Sequence, residues 1–179
     1  QAFDKKGMLD QRSIVQNRRE KDVGQYDKEM EMGMLDDIFW LLPSRLYSKL
    51  GAYSDYFYLY GEQNDYGFRA LKEGYKFIYT PLAKIWHKGG VTTCDGDKKA
   101  ARIEYWTSFA VFKLAALHFP EKADSFNRKW ALRQTVKNFI LFLTGKKKWE
   151  SVKAVILAYK NFKHWNLVRY VDTGYNPFS

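Results

Sequence analysis

The stretch from Lys98 to the C-terminus most restricts the fold, because almost all of it has the pattern of helices. Apolar residues recur there every three or four positions, as in helices that bury one side. Pro120 and Gly145 interrupt the pattern, and these residue types commonly mark helix boundaries. We predict three helices, over residues 98–118, 124–143 and 148–162.

The same region carries most of the positive charge. The chain has a formal net charge of +10, and residues 121–179 contain twelve lysines or arginines against four acids. Basic amphipathic helices fit an anionic membrane surface, and helices packed on a sheet with a solvated basic face are the alternative. No RRM, KH, zinc-finger or helix-turn-helix pattern is present, so nucleic acid is not expected as a partner, although the charge alone keeps a basic nucleic-acid-binding domain as a second alternative. In the second helix the apolar side contains Phe126, Trp130, Val136, Phe139, Ile140 and Leu143.

Composition limits the class of protein. With 179 residues, 46% hydrophobic and 28% charged, the chain fits one globular domain with or without an appendage. Apolar runs such as Phe139–Leu143 are far shorter than the ~20 residues that span a bilayer. We therefore predict no spanning helix and no secretory signal peptide. A single cysteine, Cys94, excludes an internal disulfide. The expected location is the cytoplasm, including a peripheral position on the inner face of the membrane.

The first half of the chain mixes strand and helix patterns. Residues 62–73 have the spacing of a helix, and residues 76–80 and 82–87 alternate like strands. The apolar run 34–42 is interpreted as a buried strand or the entry to a helix. The aromatic stretch 52–61 is expected to be extended. Between them, a short helix is predicted from Ser44, as a capping residue, to Gly51.

Residues 51–90 also place aromatic, acidic, glycine and histidine positions in a distinctive order. In order and spacing they resemble the second half of the catalytic domain of family-2 glycosyltransferases, which are nucleotide-sugar-dependent enzymes with a GT-A fold. The matching positions are Asp55, Phe57, Tyr58, Leu59, Tyr60, Gly61, Glu62, Asp65 and Arg69, followed by Gly74, Tyr75, Ile78, Pro81, Ala83, Ile85, Trp86 and His87.

This resemblance implies an α/β fold: the acceptor-side part of a GT-A domain over residues 1–97, followed by a basic helical extension over residues 98–179. It implies inverting transfer of a sugar from a nucleotide-diphosphate donor to a hydroxyl of a glycan or lipid-linked glycan, as in polysaccharide biosynthesis. The implied cofactor is a divalent metal, Mn²⁺ or Mg²⁺, which neutralises the leaving diphosphate.

Inverting transfer needs a base that takes the proton of the acceptor hydroxyl. The family's commonest base is the second acid of a Glu-Asp pair, and the matching residue here is Gln63, which cannot accept that proton. Glu62 is the first replacement candidate and Asp65 the second, and an inactive protein is the third alternative. Gln63 is then expected to bind acceptor hydroxyls. Both carboxylates also fit a structural role in the first turn of a helix, and Arg69 is best interpreted as an ion-pair partner of Asp65.

Three further candidates lie at the end of the second predicted strand. The resemblance places His87 where family members bind the metal or the diphosphate, and a structural histidine is the alternative. Lys88 is predicted to meet either phosphate or water. Trp86 is predicted either to stack on a sugar or base or to pack in the core.

Family members bind the nucleotide through an N-terminal half that ends in an Asp-x-Asp metal motif, and this sequence contains no such half. Asp95–Gly96–Asp97 lacks a preceding hydrophobic strand and is interpreted as a turn, while Asp36–Asp37 lacks a spacer. We expect the motif upstream of Gln1, so that residues 1–179 alone do not catalyse transfer. The main alternative is a non-catalytic module that binds a membrane or a partner enzyme.

Overall fold

Helices dominate the regular structure of the chain. A computed structural model describes residues 2–3, 9–10, 24, 26–83, 99–174 and 177–178. The strands in these ranges are β1 (Ala2–Phe3), β2 (Leu9–Asp10), β3 (Met30–Met32) and β4 (Phe77–Tyr79). The helices are α1 (Ser44–Leu50), α2 (Glu62–Lys72), α3 (Lys99–His118), α4 (Pro120–Leu143) and α5 (Trp149–Val168).

The chain divides into two compact units. The first comprises Gln1–Tyr53 and Gln63–Lys88, and the second comprises Ser54–Glu62 and Gly89–Ser179. The aromatic segment that precedes α2 therefore belongs to the same unit as the three long helices.

The first unit contains two antiparallel strand pairs and two short helices. β1 pairs with β2, and β3 pairs with β4 in a register that sets Met30 opposite Tyr79. The faces of α1 and α2 meet through Leu46, Tyr66 and Ala70, which are all buried. Gly67 allows Met34 to lie against α2, because a Cβ at Gly67 would overlap the Met34 sulfur.

The second unit is built around α3. Tyr105, Trp106, Phe109 and Phe112 on this helix are fully buried, as is Trp165 on α5. Aromatic side chains of this size bury about 150–250 Å² each, so these five contribute a large apolar area to the stability of the unit. The ring of Phe112 shows how the helices meet, since its centroid lies 5.3 Å from that of Trp130 on α4 and 5.6 Å from that of Phe162 on α5.

The predicted α/β fold class is wrong. A GT-A domain requires a parallel sheet with helical crossovers, whereas strands within the described ranges form only two-stranded antiparallel pairs. The aromatic stretch 52–61 forms turns instead of a strand. The run 34–42 is not a buried strand either, because Ile38, Phe39 and Leu41 are exposed. These aromatic and aliphatic runs have strand-like composition, but within the described ranges no strand pairs with them.

Several local predictions are confirmed. The strand pattern of residues 76–80 appears as β4, and the three C-terminal helices form with Pro120 at the first position of α4. Gly51 ends α1 with φ 71°, and its N–H donates to the Tyr47 carbonyl. The predicted cap is wrong, since Pro43 occupies the capping position and no side chain there bonds the helix.

Candidate functional site

A constrained turn leads directly into α2. Tyr60 has φ 64° and Gly61 has φ 92°, both in the left-handed region. A Cβ on Gly61 would lie 2.8 Å from the Phe57 ring and 2.9 Å from Ala110 Cβ, so only glycine lets the chain pass this close to α3. Tyr60 is held in a conformation that costs roughly 1–3 kcal/mol, and such strain persists only where surrounding packing maintains it.

Glu62 is the first residue of α2 and follows this turn. The positive end of a helix favours a carboxylate in the first turn. The side chain is partly buried, and its Oε2 atom is shielded from solvent. Burial and then the negative charge of Glu62 raise the pKa of Tyr60, so the phenol stays protonated at neutral pH. The turn thus sets a carboxylate and a protonated phenol close together.

Asp65 is held differently. Its side chain is 5% exposed, and its Oδ2 accepts a hydrogen bond of 2.9 Å from Arg69 Nε. Arg69 also donates to the carbonyls of Leu50, at 2.8 Å, and Ala52, at 3.0 Å. The ion pair expected between Asp65 and Arg69 is therefore confirmed. Through Arg69, the Asp65 carboxylate ties α2 to the end of α1.

Gln63 has an unusual environment. Its Oε1 atom is buried and has no hydrogen-bond partner among the residues that the structure describes. An amide oxygen in this state costs about 1–3 kcal/mol unless a donor reaches it. A hydroxyl group of a bound ligand would be such a donor.

The other predicted site residues cannot be placed against this turn. Trp86, His87 and Lys88 lie outside the described residues, as does Asp95–Gly96–Asp97. Asp37 accepts a 2.9 Å hydrogen bond from the Tyr53 hydroxyl. Within the described ranges, no three His, Cys, Asp or Glu side chains are grouped so that they could hold a metal ion.

Sequence reasoning missed a buried ion pair, Lys113 with Asp172. Both side chains are only 1% exposed, and Lys113 Nζ donates to Asp172 Oδ2. The ammonium group also lies 3.7 Å from the centroid of the Phe109 ring. Burial lowers the pKa of Lys113 to about 8, although the charge of Asp172 acts to raise it. Burial also raises the pKa of Asp172, although the charge of Lys113 acts to lower it. One signal was available: Lys113 interrupts an apolar run in the middle of a helix.

This pair holds the segment that leads to Glu62. Lys113 Nζ also donates to the Tyr56 carbonyl at 2.6 Å, and the backbone N–H of Asp172 donates to the Asp55 carbonyl at 3.1 Å. The start of the aromatic segment is therefore fastened to α3 and to the C-terminal segment. The backbone that precedes the turn at Tyr60 and Gly61 is therefore held in place by these two hydrogen bonds.

No protein-family model matches the chain, and no match is found among curated proteins or solved structures. No helix within the described ranges has both the length and the apolarity that crossing a membrane requires.

Proposed function

We propose that the chain is part of an inverting glycosyltransferase. The reaction moves a sugar from a nucleotide-diphosphate donor to a hydroxyl of a glycan or lipid-linked glycan. The proposal rests on the site and on the family-2 resemblance of residues 51–90, not on the fold, because the expected α/β domain is wrong. Function depends on particular sites, and one chemistry recurs on unrelated folds.

One observation carries the proposal: Glu62 opens a helix directly after a turn that packing holds in a strained conformation. Groups that move protons need fixed positions, because reach and orientation decide whether a transfer occurs. Here Gly61 packs against α3, and Lys113 holds the start of the segment. Tyr60 beside Glu62 adds a protonated group that can donate a hydrogen bond to a substrate oxygen.

The proposed mechanism uses Glu62 as the general base. Its carboxylate accepts the acceptor hydroxyl proton while that oxygen forms a bond to the anomeric carbon. The bond from the anomeric carbon to the diphosphate oxygen breaks, and the diphosphate leaves with the electron pair. We assign the Gln63 side-chain amide to a neighbouring hydroxyl of the acceptor.

Asp65 is assigned a positioning role. Its carboxylate is almost fully enclosed and bound to Arg69, so an acceptor hydroxyl has little access to it. This contrast favours Glu62 between the two candidate bases. A divalent cation remains part of the proposal for the leaving diphosphate, with His87 as its predicted ligand.

The test uses the complete gene product, purified and assayed with nucleotide-diphosphate sugars and glycan acceptors in Mn²⁺, Mg²⁺ or a chelator. Replacing Glu62 by Gln should lower kcat by a factor of roughly 10²–10⁴, which is the usual contribution of a general base to the rate. The matched control is Glu73→Gln, because Glu73 is an exposed carboxylate just after α2 that pairs with Lys49. This control should stay within about twofold of the wild type.

Three results would contradict the proposal in distinct ways. Full activity in Glu62→Gln removes this residue as the base. Loss of activity in Asp65→Asn with unchanged thermal stability would transfer that role to Asp65. Absence of transfer by the wild type with every donor tested would favour the non-catalytic module.

A further inference from the structure

The C-terminal half of α4 turns its apolar side to solvent. Leu132, Val136, Phe139 or Ile140, and Leu143 recur at intervals of three or four residues, so these five side chains lie on one face of the helix. Their side chains are between 43% and 67% exposed. We call these five residues the α4 stripe.

The opposite side of α4 is the one that faces the helical core, and it is small or polar. Its buried residues are Ala123, Asn127, Ala131 and Asn138. The two asparagines are specifically engaged, because Asn127 donates to the Phe112 carbonyl and Asn138 to the Ser151 carbonyl. These bonds fix the rotation of α4, so the α4 stripe cannot turn inward without leaving buried amides unpaired. Contiguous apolar surface held outward in this way marks an interaction site.

The turn that follows α4 adds aromatic surface. Trp149 is 42% exposed, and its ring centroid lies 5.4 Å from that of Phe142 and 6.3 Å from that of Phe139. Tryptophan and other aromatic side chains with one buried and one exposed side are enriched where protein meets the lipid headgroup region.

Positive charge surrounds this surface. Between Leu132 and Val168 the sequence has eight lysines or arginines and one acid, Glu150. Lys146 and Lys148 are exposed in the turn. Lys147 between them bonds Glu104 and Asn138 instead, which anchors the turn to the helices. A shallow depression of about 320 Å³ beside the turn is lined in part by these three lysines.

We propose that the α4 stripe and the turn through Trp149 dock on an anionic lipid membrane. Apolar side chains that enter the headgroup region, flanked by lysines that meet anionic lipids, are the two features of interfacial helices. A second copy of the chain would bring the same positive charge to the contact. A nucleic acid would satisfy the lysines but leave the aliphatic stripe without a partner. This inference is independent of the proposed transferase activity.

The test measures binding of the full 179-residue chain to vesicles by co-sedimentation. The anionic vesicles contain phosphatidylcholine with about 30% phosphatidylglycerol, which provides a negative surface potential. At a low salt concentration they should bind the chain at least tenfold more tightly than vesicles of phosphatidylcholine alone. Raising the salt to several hundred millimolar should weaken binding, because the Debye length falls to a few ångströms and the attraction between the lysines and the anionic lipids is screened.

Two variants separate the two contributions. Val136→Ser/Ile140→Ser/Leu143→Ser removes exposed apolar groups and should weaken binding more than tenfold. Lys146→Gln/Lys148→Gln should weaken it about 25-fold, at roughly fivefold for each lysine. The controls are Leu41→Ser/Leu82→Ser and Lys28→Gln/Lys72→Gln, which change exposed residues elsewhere in the chain and should bind like the wild type.

Circular dichroism verifies that every variant keeps the helical content and thermal midpoint of the wild type. The proposal is overturned if the chain binds neither vesicle, or if control and stripe variants lose affinity equally. A dimer in light scattering that is lost in the stripe variant would also overturn it, because the stripe would then bind a second copy of the chain. Competition between duplex DNA and vesicles, with normal DNA binding by the stripe variant, would overturn it as well, because the lysines would then bind nucleic acid.

Discussion

The buried pair of Lys113 and Asp172 gives the sharpest prediction about stability. Each side chain is 1% exposed, and the surroundings include the rings of Phe57, Phe109 and Trp165. Replacing Asp172 by Asn leaves the ammonium group without its counter-charge in these surroundings. Breaking a buried pair in this way costs about 3–5 kcal/mol. Since domains are usually stable by about 5–15 kcal/mol, this is a large part of the total.

The assay is urea unfolding at pH 7, followed by circular dichroism, for four proteins: the wild type, Asp172→Asn, Lys113→Met and the double variant Lys113→Met/Asp172→Leu. Each single variant should lower the free energy of unfolding by about 3–5 kcal/mol. The double variant should recover most of that loss, because it leaves no buried charge. The exposed pair of Glu150 and Lys153, 3.8 Å apart, is the control, and Glu150→Gln should cost less than about 1 kcal/mol.

Two results would refute this reasoning. The first is a loss below about 1 kcal/mol in both single variants, which would mean that solvent reaches the pair. The second is a double variant as unstable as the sum of the single ones, which would mean that packing, and not charge, dominates the effect.

Three further predictions concern the same unit. Because burial lowers the folded-state pKa of Lys113 to about 8, below its ordinary 10.5, the unfolded chain binds more protons between these values, and stability from this lysine rises over that window. The unfolding free energy of the wild type minus that of Lys113→Met should therefore increase by about 1–3 kcal/mol between pH 7 and pH 10. Gly61→Ala should cost about 2–4 kcal/mol in urea unfolding from strain and overlap. Gly145→Ala should cost about 1 kcal/mol, because φ is also positive there, at 71°, but a Cβ meets open space. Asn127→Ala should lower the thermal midpoint by several degrees, because the Phe112 carbonyl loses its buried side-chain donor.

Local patterns in the sequence are enough to predict most of the helices. The apolar spacing and the breaks at Pro120 and Gly145 place α3, α4 and α5, although α5 continues past the predicted end to Val168. The bond between Asp65 and Arg69 is predictable for the same reason, since residues four apart on a helix are neighbours.

The candidate site was predictable only in part. Glu62, Gln63 and Asp65 could be selected by their resemblance to an ordered motif. The difference between them depends on contacts that the motif does not contain. Arg69, which donates directly to Asp65, is itself held by the carbonyls of Leu50 and Ala52, 19 and 17 residues away. The packing of Gly61 against α3 sets the turn before Glu62.

By itself, the sequence determined which three C-terminal segments form helices and where Pro120 and Gly145 interrupt them, because these features depend on neighbouring residues along the chain. Tertiary structure decided which side of each helix is buried. On α4, the side chains of Asn127 and Asn138 donate hydrogen bonds to the carbonyls of Phe112 and Ser151, which turns the small and polar side of the helix inward. The larger apolar residues are left exposed, whereas the apolar pattern by itself predicts that they are buried. The same holds for Lys113 and Asp172, 59 residues apart, since only the folded chain brings two such charges together and removes water from both.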